Sequence, residues 1–188
     1  MPRISSRRGS GRALALTAAL AATVLTMLVP AGPAAARTAP ATRTRSTVLT
    51  FYSWPDNDPA GTAIAHPGAK GSRPRVRHRV AGGTGTYADP VTVAMRHGVV
   101  PVGTRMYLAR LRKYGIVEDD CASCRGWWVD VWMGGSADRS AWDDILACED
   151  AATPDGPIPV VFDPPADLPV RTVPLFDNAR RRCRAPQD

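Results

Sequence analysis

The sequence lacks the patterns that identify several common protein classes. After residue 36 it has no apolar run of eighteen residues, the length that a membrane-spanning helix needs. The glycine-rich stretch at residues 82–86 does not end in the Gly-Lys-Ser/Thr of a phosphate-binding loop, and no Gly-x-Ser-x-Gly elbow is present. The absence of these two motifs argues against a P-loop nucleotidase and a Ser-His-Asp hydrolase. The sequence also has no repeat of the length typical of solenoid proteins.

The three histidines and the arginine-rich runs also carry no recognisable site pattern. His66, His78 and His97 are spread over loops without the close spacing of metal ligands, so we expect exposed side chains, no metal and no cofactor. The basic runs at residues 73–79 and 180–184 lack the interleaved aromatic residues that stack on bases. Such runs are typical of solvated loops, and no nucleic-acid partner is expected.

The first 36 residues have the features of a secretory signal peptide. Several arginines precede an apolar run at residues 13–30, and Ala34-Ala35-Ala36 offers a small-residue cleavage site. Cleavage removes four arginines and no acid, which lowers the formal charge from +7 to +3 and leaves about 150 residues, the size of one domain. We expect a secreted, extracellular monomer with no stable membrane association after cleavage.

The mature chain alternates between short apolar runs and turn residues, a pattern typical of a small β protein. Strands are predicted at residues 47–53, 91–95, 104–109, 114–118, 128–133 and 158–162. One helix is predicted from Ser140 to Cys148, because Ser140 and Asp143 resemble a capping box ahead of an apolar helical face.

Six strands and one short helix predict a mainly β fold, a small closed barrel over residues 47–162. Residues 37–46 are polar and contain proline, so we expect a flexible leader. The segment from 163 to 188 is rich in proline and arginine, and an extended tail is expected there.

The four cysteines form an even set in a chain that carries an export signal. Two disulfides are therefore expected, from Cys121, Cys124, Cys148 and Cys183. A zinc site would need a second close pair, and a thioredoxin-like centre would need a βαβ context. We expect bridges that tie the 121–124 loop to Cys148 and to Cys183, because long closures restrict the unfolded chain most.

Asp130 stands out because it lies between tryptophans in a predicted strand. Side chains alternate faces along a strand, so Trp128, Asp130 and Trp132 share one face and the intervening apolar residues face the core. Indole rings pack well against sugars, and an apolar surrounding raises the pKa of a carboxyl group toward that of a general acid. The alternative is a structural aspartate that bonds a neighbouring loop.

Two stretches resemble a known family. "VPVGTRMYL" and "IVEDDCASCRGWWVDVWMGG" are similar to double-psi β-barrel domains of the three-aspartate type, as in lytic transglycosylase A, with rare lipoprotein A, expansins and family-45 endoglucanases as more distant relatives. The matching positions are Pro101, Gly103, Thr104, Asp119, Arg125, Gly126 and Asp130. The whole mature chain also resembles uncharacterised secreted actinobacterial and fungal proteins. Two departures are Cys121-Ala122 in place of Gly-Gly, and Arg96-His97 where an earlier aspartate is expected.

The resemblance implies a double-psi topology and a role for Asp130 in protonating a glycosidic oxygen. An inverting hydrolase would need a second carboxylate about 6.5–9.5 Å away. The candidates for it are Asp119, Asp120, Asp56 and Asp58, although the last two also suit a turn. The residues expected to contact sugar are Tyr52, Trp54, Trp128, Trp132 and Arg125.

Two functions follow from these patterns. The first is a secreted protein that cleaves or loosens a cell-wall polysaccharide, as a lytic transglycosylase or glycoside hydrolase. The second is a non-catalytic barrel that binds glycan or acts as a secreted effector or protease inhibitor. The catalytic function needs Asp130 in an open groove with a polar partner, whereas the binding function needs only the aromatic strip.

Overall fold

Six strands close into a barrel in the order β1-β5-β2-β4-β3-β6. The computed structural model describes residues 42–68 and 76–187. The predicted signal peptide, the first part of the predicted leader and part of the first basic run lie outside the described residues. The barrel strands are β1 (Arg43–Ser53), β2 (Val91–Met95), β3 (Arg105–Leu108), β4 (Lys113–Asp120), β5 (Trp128–Gly134) and β6 (Ile158–Phe162). The mainly β barrel predicted from the sequence is confirmed.

β1 begins earlier than predicted, inside the segment expected to be a flexible leader. Its first five residues pair antiparallel with β6, from Arg43 opposite Phe162 to Thr47 opposite Ile158. Backbone hydrogen bonds form this ladder whatever the side chains are. The polar side chains of residues 43–46 therefore did not indicate a strand. The prediction of a leader reaching residue 46 is therefore wrong for residues 43–46.

Two parallel pairings, β1 with β5 and β2 with β4, set the register that places the acidic residues. Thr50 pairs with Asp130, and Ala94 pairs with both Asp130 and Asp119. Paired residues share a face, so these four form one row across four strands. The adjacent row contains Phe51, Val131, Val93 and Val117 and belongs to the hydrophobic core.

A β-bulge puts Asp119 into that row. The register between β2 and β4 shifts after Val93, which pairs with Val117, so that Ala94 meets Asp119 instead of Glu118. The extra residue in β4 moves Asp119 to the Ala94 side, the side on which Glu118 approaches Thr92. Strict alternation would have sent Asp119 into the core.

The helix is longer than predicted and starts differently. A 3₁₀ turn at Arg139–Ala141 leads into α1 (Trp142–Ala152). The side chain that caps this start is Asp138, which accepts the backbone N–H of Ser140, so the predicted Ser140 capping box is not formed. Ile145, Cys148 and Ala152 are buried where α1 packs on the barrel. Among the described residues, no helix has the length and apolarity required to cross a bilayer.

The tail follows the barrel surface in extended form and also contributes to the core. Tyr107 and Tyr114 donate hydroxyl hydrogen bonds to the carbonyls of Pro169 and Pro165, which fixes its first part. Its second part forms a small hairpin of β7 (Phe176–Asp177) and β8 (Arg182–Cys183). Leu175, Phe176 and Ala185 of this second part are buried.

All four cysteines are oxidised, but their pairing differs from the expected one. Cys121 bonds Cys124, and Cys148 in α1 bonds Cys183 in β8. The 121–124 loop therefore closes on itself and is not tied to α1 or the tail. The entropy argument favoured long closures, but the fold places Cys183 beside α1 and leaves the two loop cysteines 5.4 Å apart between Cα atoms.

Candidate functional site

A cavity of about 640 Å³ opens beside the row of acids. It lies where β2, β4 and β5 meet the loop that follows β1. Its lining residues are Tyr52, Asp56, Asn57, Asp58, Pro59, Ala63, Ile64, Ala65, Ala94, Asp119, Asp120, Cys121, Ala122, Ser123 and Asp130. All three acids proposed from the sequence as catalytic therefore reach one space.

Asp130 is half-buried in this cavity and is held by a chain of hydrogen bonds. The Trp128 indole N–H donates to the Thr50 hydroxyl over 2.8 Å, and this hydroxyl donates to Asp130 Oδ1 over 2.7 Å. Burial raises the pKa of Asp130 to about 6, against the Thr50 hydrogen bond, with the negative charges of Asp56 and Asp119 adding to the rise. Asp130 can thus hold a proton in mildly acidic solution.

Asp119 is more deeply buried, at 7% exposure, and its oxygens accept three hydrogen bonds. Tyr52 donates its hydroxyl to Oδ2 over 3.0 Å. The backbone N–H groups of Ala65 and Asp120 donate to Oδ1 over 2.8 and 2.9 Å. These donors are fixed, so Asp119 is a preorganised negative charge facing the cavity.

Ala94 separates the two acids. Asp119 and Asp130 are its partners on the strands at either side, so their Cα atoms lie about 10 Å apart, two strand spacings. The side chain of Ala94 is small and leaves the floor between them open to the cavity. The cavity floor between the two aspartates is therefore a position where a substrate could lie with one acid on each side.

The loop after β1 forms the opposite wall. Asp56 accepts the backbone N–H and the hydroxyl of Ser53, over 2.6 and 3.2 Å, so it stabilises the turn as well as lining the space. Asn57 donates to the carbonyls of Gly61 and Ala63. Asp58 is exposed at the rim.

The Cys121–Cys124 disulfide lies next to Asp130. Both sulfurs lie within 4.8 Å of an Asp130 carboxylate oxygen. Because the sulfurs are bonded to one another, they are unavailable as thiolate ligands for a metal. The short disulfide therefore stiffens the cavity wall beside Asp130.

Glu149 was not found by sequence reasoning. It lies in α1 at 6% exposure and lines a second pocket, which also reaches Thr50 and Asp56. Burial raises its pKa to about 8, and the charges of Asp56 and Asp130 add to this despite a hydrogen bond from Ser53. No local motif signals such a residue, because its environment comes from the docking of α1 onto β1.

The expected aromatic strip does not line the cavity. Trp132 is 6% exposed, packs edge-on against Tyr52 and is covered by the tail beside Leu175. Trp128 is engaged with Thr50, and Trp54 packs against the core. Of the four aromatic residues proposed to contact sugar, only Tyr52 lines the cavity. No local pattern indicates that the outer face of β5 is covered.

Arg125 points back to its own loop. Its guanidinium donates to the carbonyls of Ala122, Ser123 and Cys124 over 2.8–3.0 Å. It is absent from the cavity lining. Its visible role is to brace the loop that the short disulfide closes.

Two of the three histidines are not exposed, contrary to the expectation from sequence. The side chain of His78 is 16% exposed and lies between Glu118, at 2.6 Å, and Asp89, at 2.9 Å. The side chain of His66 is 10% exposed and lies 2.9 Å from Asp120. Acids 11 to 54 positions away supply these partners, so spacing along the chain could not reveal them. His97 is 75% exposed, as expected.

Sequence comparison connects this chain to proteins that have the same kind of domain. The family model for the "DDB_G0273701 N-terminal domain" matches residues 44–184. A relative from Dictyostelium discoideum, "Uncharacterized protein DDB_G0273701/DDB_G0273221", is 34% identical over 142 residues, covering 72% of this chain and 58% of the relative. No solved structure matches.

Proposed function

The chain belongs to the DDB_G0273701 N-terminal domain family, and we propose that it is a secreted protein that cleaves cell-wall polysaccharide with Asp130 as general acid. The observation that carries this proposal is the pair Asp130 and Asp119, which flank Ala94 in one open cavity. The residue match spans less than two thirds of the Dictyostelium relative, so the function rests on the site.

The fold and the disulfides support this proposal. A closed six-stranded barrel with two parallel strand pairs agrees with the double-psi resemblance, and Asp119 and Asp130 match that family's acids. Two disulfides favour an oxidising compartment, in accord with the export signal predicted in residues 1–36.

The proposed chemistry begins with protonated Asp130. Its proton passes to the glycosidic oxygen as the bond between this oxygen and the anomeric carbon breaks, and the carboxylate is left ionised. Asp119 lies across the floor as a fixed negative charge and stabilises the positive charge that develops on the sugar.

The hydrogen bonds at Asp119 favour a lytic route. Three donors already occupy its oxygens, which suits a charge that stays in place better than a base that must collect a proton from water. In the lytic route ionised Asp130 takes the proton from the sugar's own 6-hydroxyl, whose oxygen bonds the anomeric carbon and gives an anhydro product. Asp130 is then protonated again, and no water is consumed.

The test incubates the purified protein with peptidoglycan, cellulose and chitin, and follows soluble anhydro and reducing-end products by mass spectrometry. Asp130→Asn should abolish the products while its melting temperature stays within a few degrees, because a half-buried amide keeps the Thr50 bond. Asp155→Asn, an exposed acid away from the cavity, is the matched control and should retain activity. Full activity in Asp130→Asn would refute the proposal.

The alternative function is a non-catalytic glycan binder. The hydrogen bonds at Asp119 are consistent with it, because a carboxylate whose oxygens are already bonded to three donors can be purely structural. Sedimentation with insoluble glycan, retained in Asp130→Asn and without any soluble product from the wild-type protein, would identify this function instead.

A further inference from the structure

We propose that His66, His97 and Asp120 form a binding site for one divalent transition-metal ion at the edge of the cavity. The site is independent of glycan cleavage. Asp120 lines the large cavity and also, with His97, a neighbouring pocket of about 300 Å³. The ion would therefore lie where these two cavities border one another.

The three side chains already converge. His66 Nε2 lies 2.9 Å from Asp120 Oδ1, and His97 Nδ1 lies 3.5 Å from the same oxygen. One donor atom from each residue lies within 4.8 Å of the others. Around a tetrahedral ion with bonds of 2.0–2.1 Å, donor atoms are about 3.3 Å apart. Small side-chain rotations would therefore suffice to bind an ion.

The fold brings these residues together from three separate segments. β2 and β4 run parallel and end side by side, with Met95 paired to Asp120, so His97 leaves β2 just beyond the acid. His66 is fixed from the other side, because its backbone N–H donates to the Glu118 carbonyl over 3.0 Å. The ends of two strands and one anchored loop thus define the site.

The exposure of the three residues suits an accessible metal site. The side chain of His66 is 10% exposed and is held in place, whereas those of Asp120 and His97 are 37% and 75% exposed. An ion can enter from the solvent side through movement of the His97 ring. The two imidazoles have centroids 5.9 Å apart, which leaves space for an ion at their edges.

The donor set selects the class of metal. Two imidazole nitrogens and one carboxylate oxygen suit Zn²⁺, Ni²⁺ or Cu²⁺, whereas Mg²⁺ and Ca²⁺ prefer oxygen ligands alone. Three protein ligands leave a fourth position for water or a ligand oxygen, as in catalytic zinc sites. Asp120 is adjacent to Asp119, so this position is next to the acidic cavity.

The experiment is calorimetric titration of Zn²⁺ into the metal-free, tag-free protein at pH 7.5, with Mg²⁺ as the comparison. We expect saturable binding of one Zn²⁺ and none of Mg²⁺. His97→Ala should weaken Zn²⁺ binding more than about 100-fold, since loss of even an outer-shell partner costs 10–100-fold. His97 is largely exposed, so the fold should persist, which the melting temperature checks.

Arg96→Ala is the matched control, an exposed neighbour without a donor atom in the cluster, and should leave Zn²⁺ affinity unchanged. A Co²⁺-loaded sample should show the visible absorption of a tetrahedral nitrogen and oxygen site, lost in His97→Ala. Absence of saturable Zn²⁺ binding, or equal affinity in His97→Ala and wild type, would overturn the proposal and leave only the direct contact between His66 and Asp120. Neither result depends on glycan cleavage.

Discussion

At the scale of single residues, the carboxyl groups of the site differ in the number of hydrogen bonds that they accept and in their pKa. Asp119 accepts three hydrogen bonds, whereas Asp130 accepts one from Thr50 and has its pKa raised to about 6. Both side chains are aspartates, so their surroundings alone distinguish the proposed general acid, Asp130, from the proposed fixed charge, Asp119. Glu149, on the buried face of α1, is a further carboxyl group with a raised pKa. Its ionisation therefore costs free energy in the folded state.

Glu149→Gln should stabilise the protein at alkaline pH. Burial raises the pKa of Glu149 from its ordinary range to about 8, so stability is lost as pH rises through that window. The amide removes this cost. We expect the melting temperature at pH 8.5 to rise by roughly 4 °C, and to change little at pH 4, where the carboxyl group is protonated in both states. Thermal unfolding at both pH values measures this.

Asp150→Asn is the control for Glu149→Gln, since it changes an exposed acid on the same helix. Its melting temperature should change by the same small amount at both pH values. An equal rise in the two variants at pH 8.5 would show that helix charge, and not burial of Glu149, causes the effect.

At the scale of elements, the sequence was most informative where strands alternate. Five of the six strands lie within two residues of their predicted bounds, because runs such as Val91–Met95 combine β-branched residues with flanking turns. The start of β1 could not be predicted, because its pairing with β6 depends on backbone atoms. The bulge opposite Ala94 could not be predicted either, because it depends on the register between β2 and β4. Both are tertiary effects.

The same limit applies to the candidate site. Asp119, Asp120 and Asp130 were predicted together from their spacing and resemblance, and all three line the cavity. The covering of Trp132 by the tail could not be predicted, since it needs the packing of a segment more than forty residues downstream. The histidine partners could not be predicted for the same reason.

The two disulfides should contribute unequally to stability. The Cys148–Cys183 bond closes a loop with a separation of 35 residues, and the Cys121–Cys124 bond one of 3. Loop-closure entropy gives about 4 kcal/mol for the first and about 2 kcal/mol for the second. Urea unfolding of the two double alanine variants should reproduce this order. A larger loss from the Cys121→Ala/Cys124→Ala variant would contradict it.

At the scale of the whole molecule, three groups make stability fall as pH rises from about 5 to 8. Burial raises the pKa of Glu149 and Asp130, so their ionisation disfavours the folded state. The pKa of His78 is raised by Glu118 against burial, so the stabilisation from its charged form is lost as pH rises through the folded value. Burial lowers the pKa of Lys113 to about 8, and its opposing effect begins only above that pH.

We therefore expect the melting temperature to be highest in mildly acidic solution and to decrease toward pH 8. Below this range Asp89 determines the trend. Burial raises its pKa, but the hydrogen bonds from His78 and Thr84 outweigh burial and lower the pKa overall. The stability that ionised Asp89 contributes is therefore lost as the pH falls through the pKa of Asp89 in the folded state. Differential scanning calorimetry from pH 3 to pH 8.5 tests this profile. A melting temperature that rises steadily from pH 5 to pH 8 would contradict it.

Barrel closure joins residues that are far apart in the chain. Thr42 donates to the carbonyl of Asp163 across a separation of 121 residues, at the end of the β1 and β6 ladder. The first strand to leave the ribosome thus waits for the last barrel strand to be synthesised before its pairing is complete. Contacts of this kind slow folding. A ribosome-bound chain that stops before residue 158 therefore cannot close the barrel, however far its other strands have paired.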